Sequence, residues 1–306
     1  MNSGKYVFAQ LLQFIPQYEF EKYVYAYNGD FRTRELTCWN QFIQLFFGQL
    51  TSRNSLRDIC TCLKAHRNKL YHLGIKQYVN QSTLSRANER RDFRIFEDFG
   101  NCLIQQVRPI YANEPIPDVD IDNEVFALDS TTISLSLKLF SWAPGKYSRG
   151  AVKIHTLLDL RGSIPSFILI TDGKYHDSNV LDILTPIPDA IYIMDKAYID
   201  FKALYHLNEL GAFFISRAKT TMDYSVIENN FNIDENTGLR SDKIIELNGY
   251  KSNQLYPKPL RLVEFYDSEN DVILTFLTNN LDVSALEVAN LYRNRWQIEV
   301  FFKWIK

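Results

Sequence analysis

The chain has 306 residues, 46% of them hydrophobic, and a formal net charge of −2 at pH 7. That length and apolar content suit two or three domains with cores of their own, and the near-neutral balance excludes a chain that is basic throughout. No apolar run approaches membrane-spanning length and the N-terminus lacks the apolar stretch of a secretory signal, so a soluble cytoplasmic protein is expected.

The charge is spread unevenly. Residues 31–94 hold twelve Lys and Arg against four acids. A local basic surface is the footprint of a phosphate-binding module, the alternative being an ordinary soluble surface. Residues 1–108 read as helical. Phe8, Leu11, Leu12 and Ile15 form a short amphipathic helix stopped by Pro16. Trp39, Phe42, Ile43, Leu45, Phe46 and Phe47 make 37–50 a central buried helix, and 55–70 follows with Leu56, Ile59, Leu63 and Leu70 inward. Beyond Gly74, Ser82 is the expected N-cap of a helix whose outer side carries Ser85, Arg86, Glu89 and Arg90, with Arg91 at its end. A helix, a Gly-containing connection and an Arg-bearing helix resemble a helix-turn-helix, although the connection is longer than the tight motif. Arg86, Arg90 and Arg91 are the candidate DNA contacts there. The Cys60-x-Cys62 spacing fits a zinc finger poorly even with His66 and His72 nearby; reduced thiols within helices are the better reading for all four cysteines.

Pro109, Pro115 and Pro117 mark a linker at 109–118. Strands are expected at 124–128, 130–137, 151–160 and 164–171, the last two joined by a turn at Arg161-Gly162. Then come a helix at 177–184 capped by Asp177, a strand at 191–194, a helix at 201–210 ended by Gly211, and a strand at 213–216. The order describes a mixed sheet flanked by helices. Two of its apolar runs deliver an acid, Asp129 and Asp195. Side chains just past the ends of adjacent strands converge on one crevice of such a sheet. Taken singly, each Asp is as well explained by a turn or a helix cap. Lys153 and His155 alternate on the strand facing Asp129; a solvent-facing Lys with a partly buried His is preferred to a phosphate contact. Trp142, with Lys146, Tyr147 and Arg149, could stack on a DNA strand or form an ordinary aromatic corner.

Residues 218–276 are polar, with strand-like patches at 243–246, 260–265 and 272–277 and more acids than bases, which disfavours a DNA clamp by charge. The last helix opens on a capping box, Ser284-Ala-Leu-Glu287, and runs unbroken to Lys306. Tyr292, Arg295, Glu299, Lys303 and Lys306 are spaced three, four, four and three residues apart, one stripe of a helix. Ile298, Phe301, Phe302 and Ile305 give the stripe beside it an apolar face. One carboxylate among cations suits a phosphodiester site; a solvated face with ordinary charge pairs is the plainer reading of the helix alone.

The order Tyr292, two residues, Arg295, three residues, Glu299, six residues, Lys306 resembles the Tyr-Arg-Glu-Lys signature of bacterial insertion-sequence DDE transposases of family four. The resemblance implies an α/β fold: an RNase H-like mixed sheet flanked by helices, with a β-rich insertion and an all-α N-terminal domain. Laid on this chain, it gives a helical DNA-binding domain at 1–108, a linker at 109–118, a catalytic core at 119–217, the insertion at 218–276, and at 277–306 the core's final strand and Glu-bearing helix. Asp129, Asp195 and Glu299 become the catalytic acids and the ligands of two Mg²⁺ ions. Mn²⁺ could substitute, since oxygen-only ligation suits hard ions. Tyr292, Arg295, Lys303 and Lys306 would position the DNA backbone. The implied activity is metal-dependent cleavage and strand transfer of an insertion element, cut and pasted through hairpinned ends. The implied partners are terminal inverted repeats, target DNA and a second copy in a homodimer, with no membrane, at the bacterial nucleoid. Related enzymes stack an insertion Trp on a flipped base. This insertion has none, which leaves Tyr224, Tyr250 or Tyr256. Family members continue beyond the last helix, so a C-terminally truncated copy is expected. Two rival readings are an inactive truncated transposase acting as a competitor or repressor, and an RNase H-like nuclease unrelated to mobility.

Overall fold

The structure, a computed structural model, describes residues 6–75, 78–135, 150–231 and 233–306. Trp142, Lys146, Tyr147 and Arg149 lie outside the described residues. The chain divides after Val107 into two compact units.

The first unit is helical: α1 Val7–Leu11, α2 Gln17–Ala26, α3 Cys38–Leu50, α4 Leu56–Ala65, α5 Gln81–Arg90 and the beginning of α6 Arg94–Tyr111. Thr37 caps α3 by accepting from the Asn40 backbone N–H, and Ser55 caps α4 in the same way. Ile43 of α3 packs with Ile59 and Leu63 of α4 and with Leu70 and Ile75, while Phe20, Cys38, Ile95 and Phe99 form a second cluster. The close approach of α3 to α4 needs Gly48, where an added Cβ would lie 2.3 Å from Ile59 Cδ1.

Three local expectations are corrected here. The helix expected over 55–70 ends at Ala65, and a 3₁₀ segment, Arg67–Leu73, leads to Gly74 at φ +75°. The N-cap of α5 is Asn80, not Ser82: Asn80 Oδ1 accepts from the Thr83 N–H at 2.9 Å and from the Ser82 hydroxyl at 2.8 Å. Asn and Ser cap equally well, so only the geometry separates them. Pro109 does not open a linker, because α6 carries on to Tyr111. In a final turn a proline forfeits one backbone bond and blocks nothing further on. Replacing Asn80 with Ala should cost about 1 kcal/mol of stability in chemical denaturation, and Ser82→Ala clearly less.

In the second unit nine strands among the described residues form one sheet, in the order β3-β2-β1-β4-β5-β9-β8-β7-β6. They are β1 Val125–Leu135, β2 Gly150–Asp159, β3 Ile164–Asp172, β4 Ile191–Met194, β5 Phe213–Arg217, β6 Tyr224–Asn229, β7 Leu239–Leu247, β8 Leu260–Asp267 and β9 Val272–Thr278. Strands β1, β2 and β3 are an antiparallel meander, and β4 and β5 run parallel to β1. That is the RNase H-like arrangement. Both faces of its centre are covered, so β1 and β4 are almost continuously apolar. Val125, Ala127, Ile191 and Ile193 face Val288, Leu291, Ile298 and Phe302 of α9 Ala285–Arg293 and α10 Trp296–Ile305. Phe126, Leu128, Tyr192 and Met194 face the opposite layer, which includes Leu204 and Leu207 of α7 Phe201–Glu209.

Residues 136 and 137 lie outside the described residues, and over the rest the strands expected at 124–128 and 130–137 are the single strand β1. Its partner β2 is longer than β4, so β1 goes on pairing after β4 has ended, and Asp129 sits opposite Thr156 in mid-strand. The β-rich stretch joins the sheet directly, since β9 pairs with β5 through Ile215↔Thr278 and Ser216↔Leu277. The helix expected at 177–184 is a 3₁₀ turn, Asp177–Val180, preceded by His176, and Asp177 gives no side-chain cap. The capping box at Ser284 and Glu287 is present. The last helix is nevertheless interrupted between α9 and α10. There Asn294 Nδ2 donates to the Pro117 carbonyl at 2.8 Å and to the Asn290 carbonyl at 3.0 Å. Among the described residues no helix is long and apolar enough to cross a membrane.

Candidate active site

Side chains alternate across a strand, so Asp129 follows Val125 and Ala127 onto the α9–α10 face. In the parallel β1–β4 ladder the last rungs are Ala127↔Ile193 and Leu128↔Met194. Asp129 is the next residue of β1 and Asp195 the first past the end of β4, where its backbone is still extended, so the alternation sets both toward the same face. Helix α10 brings in the third acid, Glu299, in its first turn.

Arg295, at the junction of α9 and α10, ties two of these acids together. Its Nη1 donates to Asp129 Oδ2 at 2.9 Å and its Nη2 to Glu299 Oε1 at 2.5 Å. The Arg295 and Asp129 side chains retain only 19% and 22% of their exposure, while Glu299 keeps 51%. Burial pushes the Asp129 carboxyl up; the Ser130 N–H and Arg295 oppose the shift, and the charges of Asp195 and Glu299 add to it. Asp129 therefore feels both other acids. Arg295 thus answers two of the three carboxylates, in a site where the acids' charges raise one another's cost of burial. Among the described residues no three His, Cys, Asp or Glu side chains stand close enough to hold a metal ion. Arg295 fills the space between Asp129 and Glu299.

The other residues of the stripe separate by burial. Tyr292 is buried, its ring centroid 4.7 Å from that of Phe276, and burial raises its hydroxyl to about 12. Lys303 and Lys306 are exposed. In the helical unit Arg86 and Arg90 are exposed, but Arg91 is turned inward. Arg91 donates to Gln41 Oε1 at 2.5 Å and to the Leu36 carbonyl, and pairs with Asp30 at 3.4 Å, which corrects its place among the DNA contacts. Tyr256 is fully buried and so is removed from the stacking candidates, whereas Tyr250 is exposed. Cys38 and Cys60 are buried, and burial raises the Cys38 thiol to about 12.

Lys153 and His155 lie on the other face of the sheet, beside Ser130 rather than Asp129. Asp177 gathers them. Its Oδ1 accepts from the Ser130 hydroxyl at 2.6 Å and from Lys153 Nζ at 3.3 Å, and lies 3.6 Å from His155 Nδ1. Lys153 is not solvent-facing, for it also donates to the Tyr175 carbonyl at 2.9 Å. No spacing in the sequence could have paired Asp177 with Ser130, 47 residues away. His155 is wholly buried, and burial lowers it to about 4, with Lys153 adding and Asp177 opposing. The unfolded chain then binds more protons between about pH 4 and 6.5, so stability falls as pH drops through that window. Denaturation across that range should show a loss of about 2 kcal/mol that His155→Gln abolishes.

A family described as "Transposase DDE domain" matches residues 121–306, and one described as a domain of unknown function, DUF4372, matches residues 3–76. A Sinorhizobium fredii protein named as a transposase, y4zB, is 30% identical over 74% of this chain and 62% of its own length. A protein of Geobacillus stearothermophilus named as a transposase for insertion sequence element IS5377 is 28% identical over 58% of this chain and 47% of its own. One of Synechocystis, named as a transposase for element IS4SA, is 25% identical over 74% and 62%. The chain thus spans at most 62% of the length of these relatives. Among solved structures, a piggyBac transposase synaptic complex with hairpin DNA aligns with 99% of this chain and 69% of that one, at a TM-score of 0.47 and 10% identity. The acid-bearing unit carries the matched domain over most of the chain, and the protein belongs to the DDE transposase family.

Proposed function

We propose that the chain cuts DNA strands and joins them elsewhere, as the transposase of an insertion element of family four, with Asp129, Asp195 and Glu299 as its catalytic acids. The observation that carries this reading is the placement of Asp129 beside Asp195 on adjacent parallel strands, with Glu299 drawn to the same point through Arg295. The donor set is all oxygen and partly desolvated, a chemistry that suits Mg²⁺ or Mn²⁺; the three acids would hold two such ions once Arg295 is displaced from between Asp129 and Glu299. Divalent ions bound there would supply charge stabilisation for an in-line displacement at phosphorus.

The chain's own residues do the rest. Water attacks a DNA phosphorus and the 3′ oxygen leaves, taking up the water's proton as a 3′-hydroxyl; that hydroxyl then attacks the phosphorus of a second phosphodiester, whose own 3′ oxygen leaves and takes up the proton through solvent. Arg295, partly buried and charged at all working pH values, offsets the charge that builds on the phosphoryl oxygens. Lys303 and Lys306, exposed further along α10, hold the strand backbone, and Tyr292 seats the α9–α10 junction against Phe276. Terminal repeats, target DNA and a second copy of the chain are the partners of this reading.

Glu299→Gln should abolish Mn²⁺-dependent nicking of a labelled duplex while leaving its binding within twofold; undiminished cutting would remove Glu299 from the site. Arg295→Gln frees Asp129 and Glu299 from their internal cation, so calorimetry should find Mn²⁺ bound several-fold more tightly even as nicking slows. Unchanged affinity would mean that Arg295 does not compete for the acids.

A further inference from the structure

In the helical unit, residues 28–37 form a loop that lies opposite α5 across a cleft of about 910 Å³. Arg32 and Arg34 line one wall, Arg86 and Arg90 the other, and Phe31 stands among them. Two acids border it, Glu35 and Asp92, and Asp92 is taken up by Arg94 at 2.5 Å. The loop is held in place. Gly29 is pressed so close that an added Cβ would lie 2.4 Å from Ile95 Cδ1 and 2.7 Å from Cys38 Sγ. The Cys38 N–H donates to Asp30 Oδ1 at 2.7 Å, and the inward Arg91 grips the Leu36 carbonyl. Asn28 and Arg32 are in the left-handed region at φ 52° and 55°, a conformation non-glycine residues keep only where their surroundings impose it.

What this pinned loop displays is an aromatic ring. Phe31 is 70% exposed, and the Arg32 guanidinium lies 5.1 Å from its centroid. An exposed Phe beside a cation, among three further arginines, contributes nothing to the core. It is the pairing that binds a nucleic-acid strand: cations for phosphates and a ring for a base. The cleft has the volume of a ligand pocket, room for a few nucleotides of one strand.

We propose that this cleft grips a single, unpaired DNA strand, with an extruded base stacked on Phe31 and its flanking phosphates held by Arg32 and Arg34 on one side and Arg86 and Arg90 on the other. The inference rests on the reading of the chain as a DNA enzyme and adds what kind of DNA the helical unit takes. The probes are a fluorescein-labelled oligothymidine and a blunt duplex of mixed sequence, titrated with the full chain by fluorescence anisotropy at several salt concentrations. Phe31→Ala should weaken oligothymidine binding about tenfold and duplex binding less than twofold, with Phe31→Trp restoring it. Arg32→Gln with Arg34→Gln should lower the log–log salt slope for the oligothymidine by about 1.4, whereas Lys64→Gln with Arg67→Gln, the same charge change outside the cleft, should leave it unaltered. If both probes bind and Phe31→Ala changes neither, the grip is overturned while DNA binding stands. Displacement of the strand by polyglutamate as readily as by unlabelled oligothymidine also overturns it, because it would mark the cleft as a site for acidic chains. If the wild-type chain binds neither probe, the DNA reading falls, and the cleft assignment falls with it.

Discussion

The pairing of β1 with β4, and the fact that β4 is the shorter strand, governs the site. Val125, Ala127, Ile191 and Ile193 bury one face of that ladder, and Phe126, Leu128, Tyr192 and Met194 bury the other. With both faces apolar the register cannot slip, because a shift of one residue would turn every side chain to the wrong layer and send Asp129 toward α7. The ladder stops at Leu128↔Met194, and the first polar residue on each strand is an acid. Two carboxylates are thereby brought together by main-chain hydrogen bonds and core packing, without any direct attraction between them. The third depends on a helix that crosses the same face, seated by Ile298 and Phe302, with Arg295 between it and the sheet.

One strand thus serves two polar networks. Asp129 faces the α9–α10 layer and is answered by Arg295; Ser130 faces the reverse and is answered by Asp177, Lys153 and buried His155. Buried ionic groups are costly unless mutually satisfied, and the reverse network has the Ser130 hydroxyl and Lys153 both donating to Asp177. Its geometric effect is plain: Ser130 donates its hydroxyl to Asp177 and its backbone N–H to Asp129 Oδ1 at 2.8 Å, fixing the acid's orientation from behind.

Much of the core was legible because its signals are local. Apolar runs ending on Asp129 and Asp195, the capping box at Ser284 and the apolar stripe Ile298, Phe301, Phe302 and Ile305 are all written within a turn or a strand. What escaped is non-local. That β1 continues through Asp129 depends on the length of β2, and that β6 to β9 extend the same sheet depends on rungs between β5 and β9. The break before α10 depends on Asn294 reaching Pro117, a contact spanning 177 positions. Charge alone also misled at Arg91: three arginines in six residues look alike in sequence, yet Arg91 holds the interior of the loop while Arg86 and Arg90 face water.

Strand β9 hydrogen-bonds to β8 on one side and to β5 on the other, so the sheet closes behind everything between them. The connections joining β6 to β7 and β8 to β9 border one cleft with Arg293 and Trp296, on either side of the junction that carries Arg295. Changes of length there would leave the β5–β9 rungs and the Asn294 anchor in place, yet they would be felt where α9 hands over to α10. The outer strands are therefore neighbours of the acids' helix and can tune how it sits without touching the pairing that sets the two aspartates.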